Sequence, residues 1–344
     1  MISIRVDGNN QIGLGHINRC VSIAQGLRYF GEQVIFILSD DYSKDYIADM
    51  GFEAIVLGID YRQIDEDIDI VSKFIIQYEI SLILVDSYFA SNSYLEKLSN
   101  YTKVACIDGL YKYTVPEIMI INYNVAATNG YYDKLIFKND KKLIGLDYVP
   151  LKESYWEFEE TNLKTQIKKV LMTVGATDKL KVCDTLLESI SKTKQFEKID
   201  FDVVIGRFFP DKELFLNRWR GYNNIQLIVD CTDLSPYMKN VDIAISAAGT
   251  TVYELLRYNV PSILFAMVDN QLSAEALNQY TLWIGDIRKN DSLDKSKINE
   301  IKSILLELID NAHKYKEVVN RCTDIVDGKG ALRIAREIIQ FGKA

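Results

Sequence analysis

Residues Arg5-Val-Asp-Gly-Asn-Asn-Gln-Ile-Gly-Leu-Gly-His16-Ile-Asn-Arg19 join an apolar strand to an amphipathic helix through a loop of Gly and Asn. Ile2, Ile4 and Val6 open a strand, and Ile17, Cys20, Val21, Ala24 and Leu27 recur at the spacing of one buried helix face. Strand, glycine loop and helix in that order put the helix N-terminus at the carboxyl edge of a parallel sheet. Backbone N–H groups and the positive end of the helix dipole gather there, which suits a phosphate. Gly13 and Gly15 let the main chain approach such an anion with no Cβ in the way. His16 falls in the first helical turn and Arg19 one turn further on the same face. Position 18 is Asn, so the third glycine of a dinucleotide fingerprint is missing. Such loops are common in α/β proteins, and this one leaves open whether it binds phosphate at all.

The rhythm continues along the chain. Strands are expected at 33–38, 53–57, 81–85, 103–107 and 117–121, with helices at 43–50, 64–79 and 92–100 between them. Six strands with intervening helices describe an open parallel sheet covered on both faces. Asp86, Asp108 and Asn122 end three of those strands, where polar groups either line a ligand crevice or cap the next turn. Residues 123–139 read as a loop rich in Tyr and Asn. The pattern then restarts with strands at 168–174, 201–206, 226–229, 241–246 and 261–266, helices at 179–192, 251–258 and 272–279, one long helix over 298–321 and a last one over 331–340. The 344 residues thus suit two α/β domains, 1–150 and 151–327, facing a cleft, with 328–344 as a closing helix.

Composition narrows the partners. The net charge of −8 argues against a nucleic-acid or anionic-membrane surface. Five scattered cysteines, never in a CxxC pair, suggest neither a zinc site nor a disulfide frame. With no basic leader and no apolar run of about 18 residues, a cytoplasmic monomer without membrane insertion is expected. His313, the second of two histidines, lies among Asn311, Lys314 and Lys316 and reads as solvated surface.

A second strand–loop–helix, Ser246-Ala-Ala-Gly249-Thr250-Thr251-Val-Tyr-Glu254, offers hydroxyl and N–H donors for a pyrophosphate and a carboxylate for a ribose diol. Thr251 with Glu254 three residues later also reads as a capping box, and both readings stand. Asn270 and Gln271 form a further polar loop after the next strand.

Together, Ile-Gly-Leu-Gly-His16-x-x-Arg19, Ser246-Ala-Ala-Gly-Thr-Thr-x-x-Glu254, Asn270-Gln271 and Asp327-Gly-x-Gly330-Ala resemble the UDP-sugar hydrolases of pseudaminic acid synthesis. Those enzymes act on UDP-2,4-diacetamido-2,4,6-trideoxy-β-L-altropyranose, and the related spore-coat polysaccharide proteins share the pattern. The resemblance implies a glycosyltransferase-B fold of two Rossmann-like domains, similar to the UDP-GlcNAc transferase of peptidoglycan synthesis. It also implies a small-molecule UDP-sugar as substrate and no cofactor. It makes His16 and Asn270 catalytic. Asp7, Gly13, Gly15, Arg19, Ser246, Gly249, Thr250, Thr251, Glu254 and Gln271 become candidates for binding the sugar nucleotide. The chain departs from the family at Gly175-Ala-Thr-Asp178, at Asp108-Gly109 and at Val149-Pro-Leu-Lys152. A glycosyltransferase of the same fold and a non-catalytic sugar-nucleotide-binding protein are the alternatives. The donors above could stabilise departing UDP without a metal. Turnover is therefore expected to survive EDTA, and EDTA-abolished activity restored by magnesium would contradict this.

Overall fold

A computed structural model describes residues 1–343 apart from 10, 128–131, 133–140 and 158–163. The chain divides into two compact units, residues 1–156 with 327–344, and residues 157–326. Residues 151–156 stay with the first unit instead of opening the second. Leu151, Tyr155 and Trp156 are buried, Trp156 Nε1 donates to the Leu151 carbonyl at 3.0 Å, and Glu153 N donates to Gln25 Oε1 at 3.0 Å.

Unit 1 is built on strands β1 (Ile2–Val6), β2 (Val34–Leu38), β3 (Glu53–Val56), β4 (Leu82–Asp86), β5 (Lys103–Ile107), β6 (Met119–Asn122) and β7 (Lys141–Ile144). All pair in parallel, in the order β3-β2-β1-β4-β5-β6-β7. Their near-continuous Ile, Leu and Val runs are what burial on both faces demands, and β1 and β4 are buried throughout. Strand β7 was not expected. Its sequence, Lys-Lys-Leu-Ile, lies at the sheet edge and buries only Leu143, so it carries little apolar signal. Part of the expected 123–139 loop lies outside the described residues.

Helices α1 (Gly15–Tyr29), α2 (Lys44–Asp49), α3 (Ile68–Gln77) and α4 (Asn92–Ser99) connect these strands. In unit 2, α5 (Val182–Ser191), α6 (Lys212–Trp219), α7 (Ser235–Met238), α8 (Thr251–Arg257), α9 (Lys295–Asp310) and α10 (Ala312–Cys322) surround a second sheet. Its strands are β8 (Lys169–Thr173), β9 (Asp200–Ile205), β10 (Ile225–Val229), β11 (Ile243–Ala247), β12 (Ser262–Ala266) and β13 (Leu282–Asp286). The order is β10-β9-β8-β11-β12-β13, again parallel.

Three elements of unit 2 differ from the sequence reading. Strand β13 buries only Ile284 fully and holds Gly285 at φ +91°, which masks it as a strand. Helix α6 buries Phe215, Leu216 and Trp219 inside a stretch that reads as polar. The long helix expected over 298–321 breaks at Asn311, whose side chain accepts the Lys314 N–H at 3.0 Å and so starts α10 afresh.

The last helix, α11 (Gly330–Lys343), belongs to unit 1. Ala331, Ile334, Ala335 and Ile338 form its buried face, which packs on α1. Two glycines allow the approach. A Cβ on Gly26 would come within 2.7 Å of the Ala331 carbonyl oxygen, and one on Gly330 within 2.2 Å of the Val149 carbonyl oxygen. Gly330→Ala is expected to destabilise unit 1 by about 1–3 kcal/mol, because the obstacle is backbone that must move. Urea denaturation checks this, and an unchanged midpoint would show that the contact relaxes freely.

Candidate active site

Both sheets reverse their strand order once, between β1 and β4 in unit 1 and between β8 and β11 in unit 2. In open α/β sheets ligands bind beyond the strand carboxyl ends at such a reversal. The glycine loop after β1 and the turn after β4 flank the first reversal.

That loop is less open than its composition suggests. Asn9 Oδ1 accepts the N–H groups of Gln11 (3.0 Å) and Ile12 (3.2 Å), and the Asn9 carbonyl accepts that of Gly13 (2.8 Å). Three N–H groups that seemed available to an anion are thus engaged within the loop. The donors left are those of the first turn of α1, which have no acceptor within the helix. Gly13 sits at φ +75°, where glycine is favoured. A Cβ on Gly13 or Gly15 would meet nothing within 4 Å, so both face open space. The glycine that packing requires is Gly8, where a Cβ would lie 2.4 Å from Ile17 Cγ1.

Beyond the loop stands a buried cluster. His16 is 4 % exposed, and its Nδ1 lies 2.8 Å from Asp86 Oδ1. Arg19, expected to face a ligand, grips Asp86 instead: Nε to Oδ2 and Nη2 to Oδ1, both at 2.5 Å, with Nη1 3.3 Å from Tyr123 Oη. Arg19 Nη2 also lies 2.8 Å from His16 Nδ1. We assign the imidazole proton to Nδ1, where the carboxylate oxygen at 2.8 Å can only accept, and the Arg19 Nη2 bond to Asp86 Oδ1, since a guanidinium N–H finds no lone pair to meet at a protonated Nδ1. Nε2 is then a bare acceptor, buried and without a hydrogen-bond partner among the described residues. The Tyr88 ring stands edge-on to the imidazole, with centroids 4.3 Å apart.

The charges follow from this packing. Burial and then the Arg19 guanidinium push the His16 pKa below its ordinary value, against the opposing pull of Asp86 and Asp7. Burial works against ionisation of Asp86, but Arg19 and His16 outweigh it and hold its carboxyl well below the usual carboxylate range. The cluster is therefore a neutral imidazole beside a compensated Arg–Asp pair. Asp86 was one of three strand-end residues whose role the sequence left open. Its spacing from His16 is 70 residues, and only the pairing of β1 with β4 brings them together.

The other strand-end groups cap turns. Asp108 accepts the N–H groups of Lys112 (2.9 Å) and Tyr113 (3.4 Å), and Asn122 Nδ2 donates to the Asp108 carbonyl at 2.7 Å. Asp7, expected to touch the sugar nucleotide, is engaged in an internal network. The fully buried Arg5 donates to Asp7 and to Asp67, each at 2.7 Å, while Asp7 Oδ1 accepts the Ser39 N–H at 2.7 Å.

In unit 2 the loop after β11 is brought beside the loop after β12 by the pairing of those strands. The former carries Gly249 and Thr250 and leads into α8 with Thr251 and Glu254, and the latter leads into a 3-10 helix, Asp269–Gln279, with Asn270 and Gln271 in its first turn. Helix α8 begins at Thr251 with Thr250 as its N-cap, and the Thr250 side chain makes no capping bond. Glu254 is half-buried and Asn270 exposed. The Gly249 N–H turns back onto the Ala247 carbonyl at 2.8 Å, which leaves Thr250 and Thr251 as the first-turn donors. Ser246 is 1 % exposed and its Oγ donates to the Ala247 carbonyl at 2.8 Å, while Gln271 Oε1 accepts the Met267 N–H at 2.8 Å. These two hold the loops in shape instead of presenting their oxygens outward. Asp178, in the departing Gly-Ala-Thr-Asp segment, accepts the N–H groups of Val182 (2.8 Å) and Cys183 (2.9 Å) and caps α5.

Three Asp-x-Asp strings occur, at 65/67, 67/69 and 200/202, and each has a member engaged by a cation of the chain itself. Asp67 of Asp67-Ile-Asp69 pairs with Arg5, and Asp202 of Asp200-Phe-Asp202 pairs with Lys169 at 2.9 Å. Among the described residues no three His, Cys, Asp or Glu side chains converge to hold a metal, and no helix is long and apolar enough to cross a membrane.

Two parallel sheets of this order, each flanked by helices, define a glycosyltransferase-B-type architecture of two Rossmann-like units. Solved structures agree across nearly the whole chain. MurG of Acinetobacter baumannii matches with a TM-score of 0.64 over 98% of this chain and 99% of its own, at 11% identity. The complex of S. aureus MnaA with UDP matches at 0.63 over 99% and 96%, at 12% identity. Among curated sequences, the spore coat polysaccharide biosynthesis protein SpsG of Bacillus subtilis is 22% identical over 97% of this chain and 96% of its own. The UDP-2,4-diacetamido-2,4,6-trideoxy-beta-L-altropyranose hydrolase of Campylobacter jejuni is 22% identical over 79% and 93%. No protein-family model matches the sequence.

Removing Asp86 strands a guanidinium whose side chain is only 12 % exposed. Asp86→Asn is expected to cost about 3–5 kcal/mol at pH 7. Because the folded carboxyl titrates below its unfolded value, its stabilisation is complete above about pH 4 and is lost as the pH falls further. The gap between variant and wild type should accordingly shrink in urea melts at pH 3, and a gap that is the same at both pH values would contradict the ion-pair account.

Proposed function

We propose that this protein is an enzyme acting on a UDP-linked sugar, in which His16 takes a proton from the hydroxyl that attacks the anomeric carbon. The observation that carries the reading is the imidazole itself, held at Nδ1 by Asp86 with a bare Nε2. A base must be neutral to work, and burial keeps this one neutral. The new bond forms between the nucleophile oxygen and the anomeric carbon. The bond from that carbon to the diphosphate oxygen breaks, and its electron pair leaves with UDP. Attack from the face opposite UDP inverts the anomeric centre. The proton passes to Nε2, and Asp86 stabilises the imidazolium so formed. Thr250 and Thr251 are proposed as donors to the diphosphate and Glu254 as acceptor from the ribose. Asn270 is proposed beside the reacting sugar.

The nucleophile is either an acceptor hydroxyl or water. Most of the named structural neighbours, several glycosyltransferases and a UDP-glucosyltransferase among them, favour glycosyl transfer. The names of two sequence relatives, from Campylobacter jejuni and Helicobacter pylori, favour hydrolysis of a UDP-linked diacetamido-trideoxy sugar, and the second name also carries a pseudaminic acid cytidylyltransferase. One base serves both reactions.

The test is UDP release from a panel of UDP-sugars, with and without sugar acceptors, the sugar product being weighed by mass spectrometry. Release that needs an acceptor identifies a transferase, and free sugar formed without one a hydrolase. His16→Ala is expected to lose about 10²–10⁴-fold in kcat while binding UDP as before. The acid limb of kcat/KM should lie below pH 6.5, since the imidazole resists protonation. A His16→Ala variant that turns over like wild type would end this reading.

A further inference from the structure

The turn after β5 takes no part in the chemistry above, yet it terminates on the segment that surrounds His16. Asp108 folds residues 108–113 back through the Lys112 and Tyr113 N–H groups. Lys112 Nζ thereby reaches the carbonyl oxygens of Tyr88 at 2.7 Å and Ala90 at 2.8 Å, and Tyr113 Oη reaches that of Ser87 at 2.8 Å. Two neighbouring side chains thus fasten three carbonyls in a four-residue segment. That segment starts directly after Asp86 and carries Tyr88, so the ring that stands edge-on to the imidazole depends on where it lies.

A lysine is an unexpected fastener. Its ammonium ordinarily stays in water, and here it is half-buried, with Asp108 and Asp65 as the charges that offset the loss of solvent. An ammonium has three donors on a long flexible stem, and here two of them serve the Tyr88 and Ala90 carbonyls at once.

We propose that Lys112 is a positioning residue, which fixes segment 87–90 so that the Tyr88 ring closes that one side of His16 against bulk water. Its effect on turnover rests on the reading of His16 as the base, but its effect on the imidazole does not. The groups that face His16 are Arg19 from α1, Asp86 from β4, Asp7 after β1, Tyr88 from the segment itself and Tyr123 through Arg19. Lys112 acts on the ring through the main chain of that segment.

The chain has two histidines, and His313 is exposed, so it serves as an internal reference. Carbon-edited NMR titration of both imidazoles in the full chain separates the possibilities. In Lys112→Met the His16 midpoint is expected to rise by about half a pH unit or more as water reaches the ring, with His313 unmoved. Lys112→Arg can donate to the same two carbonyls and should restore the wild-type midpoint. In the UDP-release assay Lys112→Met should lose about 10-fold or more in kcat with KM changed by less than about 3-fold. A His16 titration in folded Lys112→Met that superimposes on wild type overturns the proposal. Should that variant fail to fold, Lys112→Gln, whose side chain is one atom shorter and cannot span to both the Tyr88 and Ala90 carbonyls, takes its place, and an unmoved His16 midpoint there overturns the proposal equally. If wild type releases no UDP from any sugar nucleotide, the base reading falls, while the NMR comparison still decides whether Lys112 positions the ring.

Discussion

The carboxylate of Asp86 is the point on which the unit 1 site depends. It is 1 % exposed, and an unpaired charge at that depth would be strongly unfavourable. Arg19 closes on it with two parallel bonds, and the geometry leaves one further edge of Oδ1 for the His16 ring. The same carboxylate therefore balances a cation and fixes an imidazole tautomer. Exchange of either partner would leave a buried charge or a free-spinning ring. This is why helix α1, the end of β4 and the residue after β6 form one assembly, and why the first turn of α1 faces the sheet edge as it does.

A second buried ion network supports the first. Arg5 lies on β1 and ties Asp7, at the strand end, to Asp67, ahead of α3, and Tyr94 Oη on α4 donates to Asp67 at 2.7 Å. Ser39, after β2, both accepts from Arg5 and donates to Asp7. These bonds fix the height at which the glycine loop leaves the sheet. Gly8 then lets Ile17 pack against that exit, and Asn9 gathers the loop's own N–H groups. The Gln11, Ile12 and Gly13 N–H groups thus find their acceptors on Asn9 with no ligand bound.

Much of the fold was legible because parallel strands buried on both faces must be written as apolar runs, and amphipathic helices must separate them. The elements that escaped lack that signature for identifiable reasons. Strand β7 is an edge with two lysines, β13 carries a glycine, and α6 buries one narrow face. Site residues were legible as candidates but not as roles. Nothing in the local sequence separates Asp7 from Asp86, since both end strands of the same sheet. The first is absorbed by Arg5 and the second meets a histidine. Ser246 and Gln271 were picked for their polarity, and tertiary contacts turned both toward backbone partners.

By itself the sequence determined the order of strands and helices, the glycine loop and the placing of His16 at the start of α1, because each of these is set by periodicity and turn chemistry within about fifteen residues. The tertiary structure alone decided which acid stands behind the imidazole, which N–H groups are already taken, and which lysine fastens the segment beside it. Those outcomes follow from strand order, which sets β4 against β1 and so joins residues 70 apart in the chain. Local pattern carries no record of that pairing, since every central strand of the sheet is written in the same apolar alphabet.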